Sequence, residues 1–210
     1  MTAVLDELTV ADAPSAWREC GFAVEDDCCV VGEVRIRFAP EEGEKGLNGW
    51  KLRGIESTDL DGLPTTASDQ APPAEAPAHP NGIAAIDHVV AISSDLDRTV
   101  AALQAAGLDL RRVREEPTPA GAPRQAFFLL GPAILEVVQE PAEVTAKKGD
   151  RPAFFWGLAF VAPDLERTVA YLGEERVSAV RDAVQPGRRI ATLRRGAGLS
   201  VPVALMSPRS

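Results

Sequence analysis

Two side chains in this sequence pair a chemically capable group with surroundings that would leave it short of water. Glu136 lies in the run Ala133 to Gln139, flanked by Leu135 and Val137. Strand alternation turns it to the face opposite those neighbours, where a lone carboxylate is costly without a metal, an Arg or a His beside it. His88 lies in the apolar run Ile86 to Ile92. There it reads either as a hydrogen-bonded core histidine or as a ligand-binding group. Asp87 beside it points to the other face and suits a turn or salt bridge.

Other candidates compete with plainer readings. Gln185-Pro186-Gly187-Arg188-Arg189 is a turn with two guanidinium groups. It is expected to be a solvated hairpin, unless Arg188 stands at a pocket rim and grips a carboxylate or phosphate bidentately. Phe127-Phe128 and Phe154-Phe155-Trp156 hold five of the 11 aromatic residues. Alternate members should fill the core while others, here Phe128 and Trp156, line a substrate pocket. His79 falls in a Pro-rich stretch and is expected to be solvated. Cys28-Cys29 in an apolar strand would bury one thiol, with no base nearby to make a nucleophile. No phosphate-binding glycine loop, nucleophile elbow or dinucleotide fingerprint occurs.

The elements that must position these groups repeat. Ser94-Asp95-Leu96-Asp97-Arg98-Thr99-Val100 recurs 69 residues later as Pro163-Asp164-Leu165-Glu166-Arg167-Thr168-Val169. Each copy follows an apolar strand and opens a helix, capped in the first copy by Ser94, with Leu96, Val100 and Leu103 on one face. Three strand-like runs follow each helix: Leu110 to Glu115, Gln125 to Leu130 and Ala133 to Gln139, then Val177 to Asp182, Arg189 to Arg195 and Leu199 to Met206. The spacing therefore predicts a βαβββ unit at 83–141 and another at 142–210. Residues 1–56 read as a shorter, divergent copy, with strands at Val4 to Val10, Phe22 to Val31, Glu33 to Ala39 and Trp50 to Ile55 and a helix at Pro14 to Cys20. Residues 57–82, with Pro64, Pro72, Pro73, Pro77 and Pro80, read as a mobile linker.

Tandem βαβββ units, with Ile86-Asp87-His88-Val89-Val90 on the first strand, Asp95-Leu96-Asp97 opening the helix and Ile134-Leu135-Glu136-Val137-Val138 on the last strand, resemble the vicinal oxygen chelate superfamily. That superfamily includes glyoxalases, bleomycin-resistance proteins and extradiol dioxygenases. The resemblance implies an α+β fold in which repeated βαβββ modules form an open, curled mixed sheet. It implies His88 and Glu136 as ligands of a divalent metal (Mn, Fe, Ni or Zn), with Glu136 also catalytic, in lyase, isomerase or dioxygenase chemistry on a small oxygen-bearing molecule. Such a site has about four protein ligands. This chain departs from the pattern: at the repeat offset the counterpart of His88 is Gly157, and that of Glu136 falls near Pro202 or Val203. Asp6, Glu7, a second subunit or water would have to supplement the pair. The alternative is a metal-free small-molecule binder of the bleomycin-resistance type.

Composition bounds the rest. Among 210 residues there are 22 basic and 31 acidic groups, a net charge of −9. The acidic excess sits in residues 1–83, which hold six Lys/Arg against 16 Asp/Glu. No basic stripe interleaved with aromatics appears, so a nucleic-acid partner is not expected. Three cysteines, Cys20, Cys28 and Cys29, suit neither a disulfide framework nor a zinc ribbon. No apolar run is long enough to span a membrane, and the first residues carry acids rather than the basic start of a signal peptide. A cytoplasmic location is expected. The resemblance implies that two modules close one cup, so the first module is expected to pack on the same chain or pair across a homodimer.

Overall fold

The computed structural model describes residues 2–40, 43–118 and 121–209. Its elements run β1 (Val4–Val10), α1 (Pro14–Glu19), β2 (Cys28–Val31), β3 (Val34–Phe38), β4 (Leu47–Arg53), β5 (Thr65–Ala67), β6 (Ala85–Ser93), α2 (Leu96–Ala105), β7 (Asp109–Arg114), β8 (Gln125–Leu130), β9 (Ala133–Gln139), α3 (Ala142–Lys148), β10 (Phe154–Val161), α4 (Leu165–Leu172), β11 (Arg181–Asp182), β12 (Arg189–Thr192), a 3₁₀ turn at Arg195–Ala197 and β13 (Val203–Met206). The strands belong to two mixed sheets, β1 to β5 in one and β6 to β13 in the other. This is the expected α+β class with mixed, open sheets.

The chain divides into two compact units that do not follow the modules in sequence order. The first comprises Met1–Asp6, Gly49–Gln70 and His88–Trp156. In it β6 and β9 pair in parallel, β9 and β8 antiparallel, and β8 and β7 antiparallel. Helix α2 lies against β7, β8 and β9. It presents Leu96, Thr99 and Leu103, all buried, to the face that carries Val89, Ala91, Ala126, Phe128, Leu135 and Val137. The second unit comprises Glu7–Asn48, Ala71–Asp87 and Gly157–Ser210. Here β10 pairs in parallel with β13, and β13, β12 and β11 follow antiparallel, the same order as in the first unit. Its core gathers Trp17, Phe22, Phe38 and Phe160, with ring centroids 4.7 to 6.1 Å apart.

The N-terminal copy is one strand short. Strand β1 pairs in parallel with β3, as the first strand of a full unit pairs with its last, and β2, the single strand between them in sequence, pairs antiparallel with β3. Strand β4, expected as the last strand of that copy, follows β1 in the sheet order and pairs in parallel with β5.

The Pro-rich stretch corrects the linker expectation. Thr65–Ala67 form a strand, and Leu60 and Leu63 are buried. Both copies of the sequence repeat help to pin it. In each, the Asp caps the helix: Asp95 accepts from the Arg98 amide at 3.1 Å and Asp164 from the Arg167 amide at 3.0 Å. The capping atom is therefore Asp95, and Ser94 turns instead to Asp150 and the Arg151 carbonyl. The repeated threonine then bonds the stretch itself, Thr99 to the Asp61 carboxylate and Thr168 to the Asn81 carbonyl. Asp61 adopts a left-handed φ of 52°, which a short polar side chain tolerates, and Arg98 holds its carboxylate at 2.8 Å. Prolines removed helix propensity here, but the buried leucines and these polar ties supply the ordering that composition did not reveal.

Candidate functional site

In strand β6 the alternation leaves His88, Val90 and Ile92 on the face away from α2, because Val89, Ala91 and Ser93 are fully buried on the other. In β9 the same rule leaves Ile134, Glu136 and Val138. The parallel register sets His88 opposite Ile134 and Val90 opposite Glu136, so His88 and Glu136 sit one two-residue step apart on one face. His88 Nε2 is 3.5 Å from Glu136 Oε2, with the two side chains 16% and 17% exposed. Both are thus reachable from solvent yet largely shielded from it, the setting in which a carboxylate depends on its partners.

The other carboxylate oxygen has a partner that the sequence reading missed. Gln125, the first residue of β8 and itself buried, donates its side-chain amide to Glu136 Oε1. The antiparallel register places Phe127 opposite Glu136 and Gln125 opposite Val138, so Gln125 and Phe127 belong to the same face. A polar residue opening the otherwise apolar run Gln125–Leu130 was the available signal. It pointed to this face only once the register with β9 was known.

Of the other three expected pocket residues, Phe128 and Arg188 are placed differently. Phe128 is fully buried on the α2 face, and Phe127 is the one that shares a face with Glu136; a one-residue shift along a strand reverses the face. Trp156 is 52% exposed and alternates with Phe155, whose ring packs against Trp50 at 4.9 Å. Arg188 is neither solvated nor at a rim. It is 4% exposed, and all five of its N–H donors are taken: Nη1 and Nη2 by the Asp87 carboxylate at 3.1 and 2.8 Å, Nε and Nη2 by the Ser207 carbonyl, and Nη1 by Gln185. Asp87 is accordingly the salt-bridge residue foreseen for the far face of β6.

The supplementary donors are committed elsewhere. Asp6 is buried and bonds Ser68, with Arg53 at 3.7 Å; Glu7 lies 3.5 Å from Arg37. Cys29 is buried and Cys28 partly so, the alternation expected of that strand; burial pushes the Cys29 thiol up to about 12, away from any nucleophilic role. His79 is buried rather than solvated. Its Nδ1 accepts the Ala23 amide at 3.0 Å, and its ring rests on Phe22. That burial pushes its pKa below the usual value.

Among the described residues no group of three or more His, Cys, Asp or Glu side chains is arranged to hold a metal ion. Gly157, the counterpart of His88, explains part of this. A Cβ there would lie 2.6 Å from the Pro202 carbonyl oxygen, so the packing of β10 against the 202–206 segment bars any side chain at that position. The donors present, one imidazole and one carboxylate already hydrogen-bonded to an amide, do not fit a resident divalent metal, which takes about four ligands.

A family model described as the glyoxalase/bleomycin resistance protein/dioxygenase superfamily matches residues 85–197, more than half of the chain. The chain belongs to this superfamily. Two solved structures are similar to it in fold. A xylose isomerase-like TIM barrel/4-hydroxyphenylpyruvate dioxygenase fusion protein aligns with a TM-score of 0.65 at 12% identity, over 99% of this chain and 49% of that one. A methylmalonyl-CoA epimerase aligns with a TM-score of 0.50 at 19% identity, over 61% of this chain and 97% of its own. The methylmalonyl-CoA epimerase of Mycobacterium tuberculosis aligns with a TM-score of 0.49 at 20% identity, over 61% and 91%. At 12% and 19% identity the first two likenesses are of fold alone. No curated protein matches the chain. Among the described residues, no helix is long and apolar enough to cross a membrane.

Proposed function

We propose that this superfamily member binds a small oxygen-bearing molecule on the strand face carrying His88, Glu136 and Gln125, and holds it by hydrogen bonds rather than through a resident divalent metal. The observation that carries this reading is the state of the Glu136 carboxylate, with the Gln125 amide on one oxygen and His88 3.5 Å from the other. A carboxylate oriented in this way is a directed acceptor. It takes a hydrogen bond or a proton from a ligand hydroxyl or from a carbon beside a carbonyl. His88 adds an imidazole nitrogen as a second hydrogen-bonding group on the same face. The steric block at Gly157 favours this reading over metal-dependent lyase, isomerase or dioxygenase chemistry, which would need donors that the described residues do not supply.

The test joins metal analysis to a thermal-shift screen. Protein purified without chelator should carry no stoichiometric Mn, Fe, Ni or Zn, and should be stabilised by small oxygenated organic compounds, an effect lost in Glu136→Gln and Gln125→Ala. A ligand at about 100 times its Kd adds about 2.7 kcal/mol, a readily measured rise in Tm. A stoichiometric metal that disappears in His88→Ala would overturn the reading.

A further inference from the structure

The first compact unit contains seven arginines, Arg53, Arg98, Arg111, Arg112, Arg114, Arg124 and Arg151. Six face a carboxylate: Arg53 meets Asp6, Arg98 Asp61, Arg111 Asp109, Arg114 Glu116, Arg124 Asp97 and Glu115, and Arg151 Glu140. Arg112 has no carboxylate partner among the described residues. Its guanidinium carbon instead lies 4.9 Å from the centroid of the Phe127 ring. A stacked guanidinium is held in plane by the ring while its N–H edges remain free for a planar oxyanion.

Its position is set by an irregularity in the sheet. Asp109 and Leu110 pair with Leu129 and Phe128, but the register then slips, and Arg112 rather than Arg111 stands opposite Phe127. Bulges of this kind re-aim side chains. The slip puts Arg112 in one cross-strand row with Phe127 and Glu136. With neighbouring strands about 4.8 Å apart, the row places Arg112 and Glu136 on strands roughly 10 Å apart.

We propose that Arg112 is the seat for the anionic end of the ligand, so that the molecule bound on this face is a small organic acid or phosphate ester. Its carboxylate or phosphate pairs with the guanidinium edge. Its hydroxyl or carbonyl end reaches Glu136, His88 and Gln125 across a skeleton of a few carbons. The negative charge of Glu136 enforces this polarity, because it repels the anionic end and accepts only from a donor. The proposal rests on the reading of the His88, Glu136 and Gln125 face as the binding surface, and it adds the chemical class that this surface selects.

Titration calorimetry at low salt tests it, with succinate, inorganic phosphate and the neutral succinamide as probes. The wild-type chain should bind at least one of the two anions and discriminate against succinamide by about tenfold or more, and the preferred anion separates a carboxylate from a phosphate ligand. Arg112→Gln should weaken anion binding about tenfold or more, Arg112→Lys should restore only part of it, and the charge control Lys148→Gln on α3 should leave it within about twofold. Equal affinity in wild type and Arg112→Gln, an equal loss in Lys148→Gln, or no anion binding by the wild type would overturn the assignment. If Arg112→Gln abolishes binding while Glu136→Gln and His88→Ala leave all three affinities unchanged, the arginine seat stands and the hydrogen-bonding face of the preceding section falls.

Discussion

Replacing Arg188 by Met tests whether this guanidinium, foreseen in a solvated hairpin or at a rim that grips a ligand, is instead a buried structural cation. The guanidinium is 4% exposed and Asp87 2% exposed, so Arg188→Met strands a buried carboxylate. Breaking a buried pair from one side costs about 3–5 kcal/mol. Arg209 Nη2 remains 3.2 Å from Asp87 Oδ1 and is itself 43% exposed, which sets the expectation at the lower end of that range. The Ser207 carbonyl also loses both of its Arg188 donors, adding about 1 kcal/mol. The total is about 4 kcal/mol, which for a chain of this length is a Tm fall of roughly 8–16 °C. Urea unfolding followed by tryptophan fluorescence should show a lower midpoint at unchanged slope. The double variant Asp87→Asn/Arg188→Met should recover more than half of the loss, since removing both charges leaves neither one stranded. Anion affinity should stay at the wild-type value in every variant that remains folded. A stability loss below about 1 kcal/mol together with lost anion binding would refute the reasoning, because a ligand-facing Arg188 would behave in that way.

Three further outcomes follow from the same geometry. Burial holds the folded-state pKa of His79 below its ordinary value. As pH falls below about 6.5 the unfolded chain takes up the proton first, so stability is full above that pH and declines down to the folded-state pKa. In urea titrations across that range the His79→Gln variant should lose this part of the slope, and an unchanged slope would contradict the burial argument. Gly157→His, which restores the residue type found at the matching position of the other repeat, should destabilise the chain by about 1–3 kcal/mol or more through collision with the Pro202 carbonyl, and calorimetry with Mn, Fe, Ni or Zn should detect no new site. Thiol labelling under native conditions should modify Cys28 first. Cys29, its thiol raised to about 12, should react only after unfolding, and rapid native modification of Cys29 would contradict its burial.

The sequence determined the parts of this protein that depend on local periodicity. Alternation in Ile86 to Ile92 and Ala133 to Gln139 allowed His88 and Glu136 to share a strand face, and the Asp-Leu-x-Arg-Thr-Val repeat marked two helix starts, although the cap foreseen at Ser94 is made by Asp95. Tertiary structure decided whatever depends on which strand lies beside which, and by how many residues. Register alone brought Gln125 to Glu136, chose Phe127 over Phe128, and, through one slipped pair, chose Arg112 over Arg111. The fate of Arg188 turned on Asp87, 101 positions away in sequence, and the ordering of the Pro-rich stretch on Thr99 and Thr168. A side chain's type and local period say which groups can do chemistry. Their partners are set by long-range packing, where a one-residue shift in register reverses the face a side chain occupies.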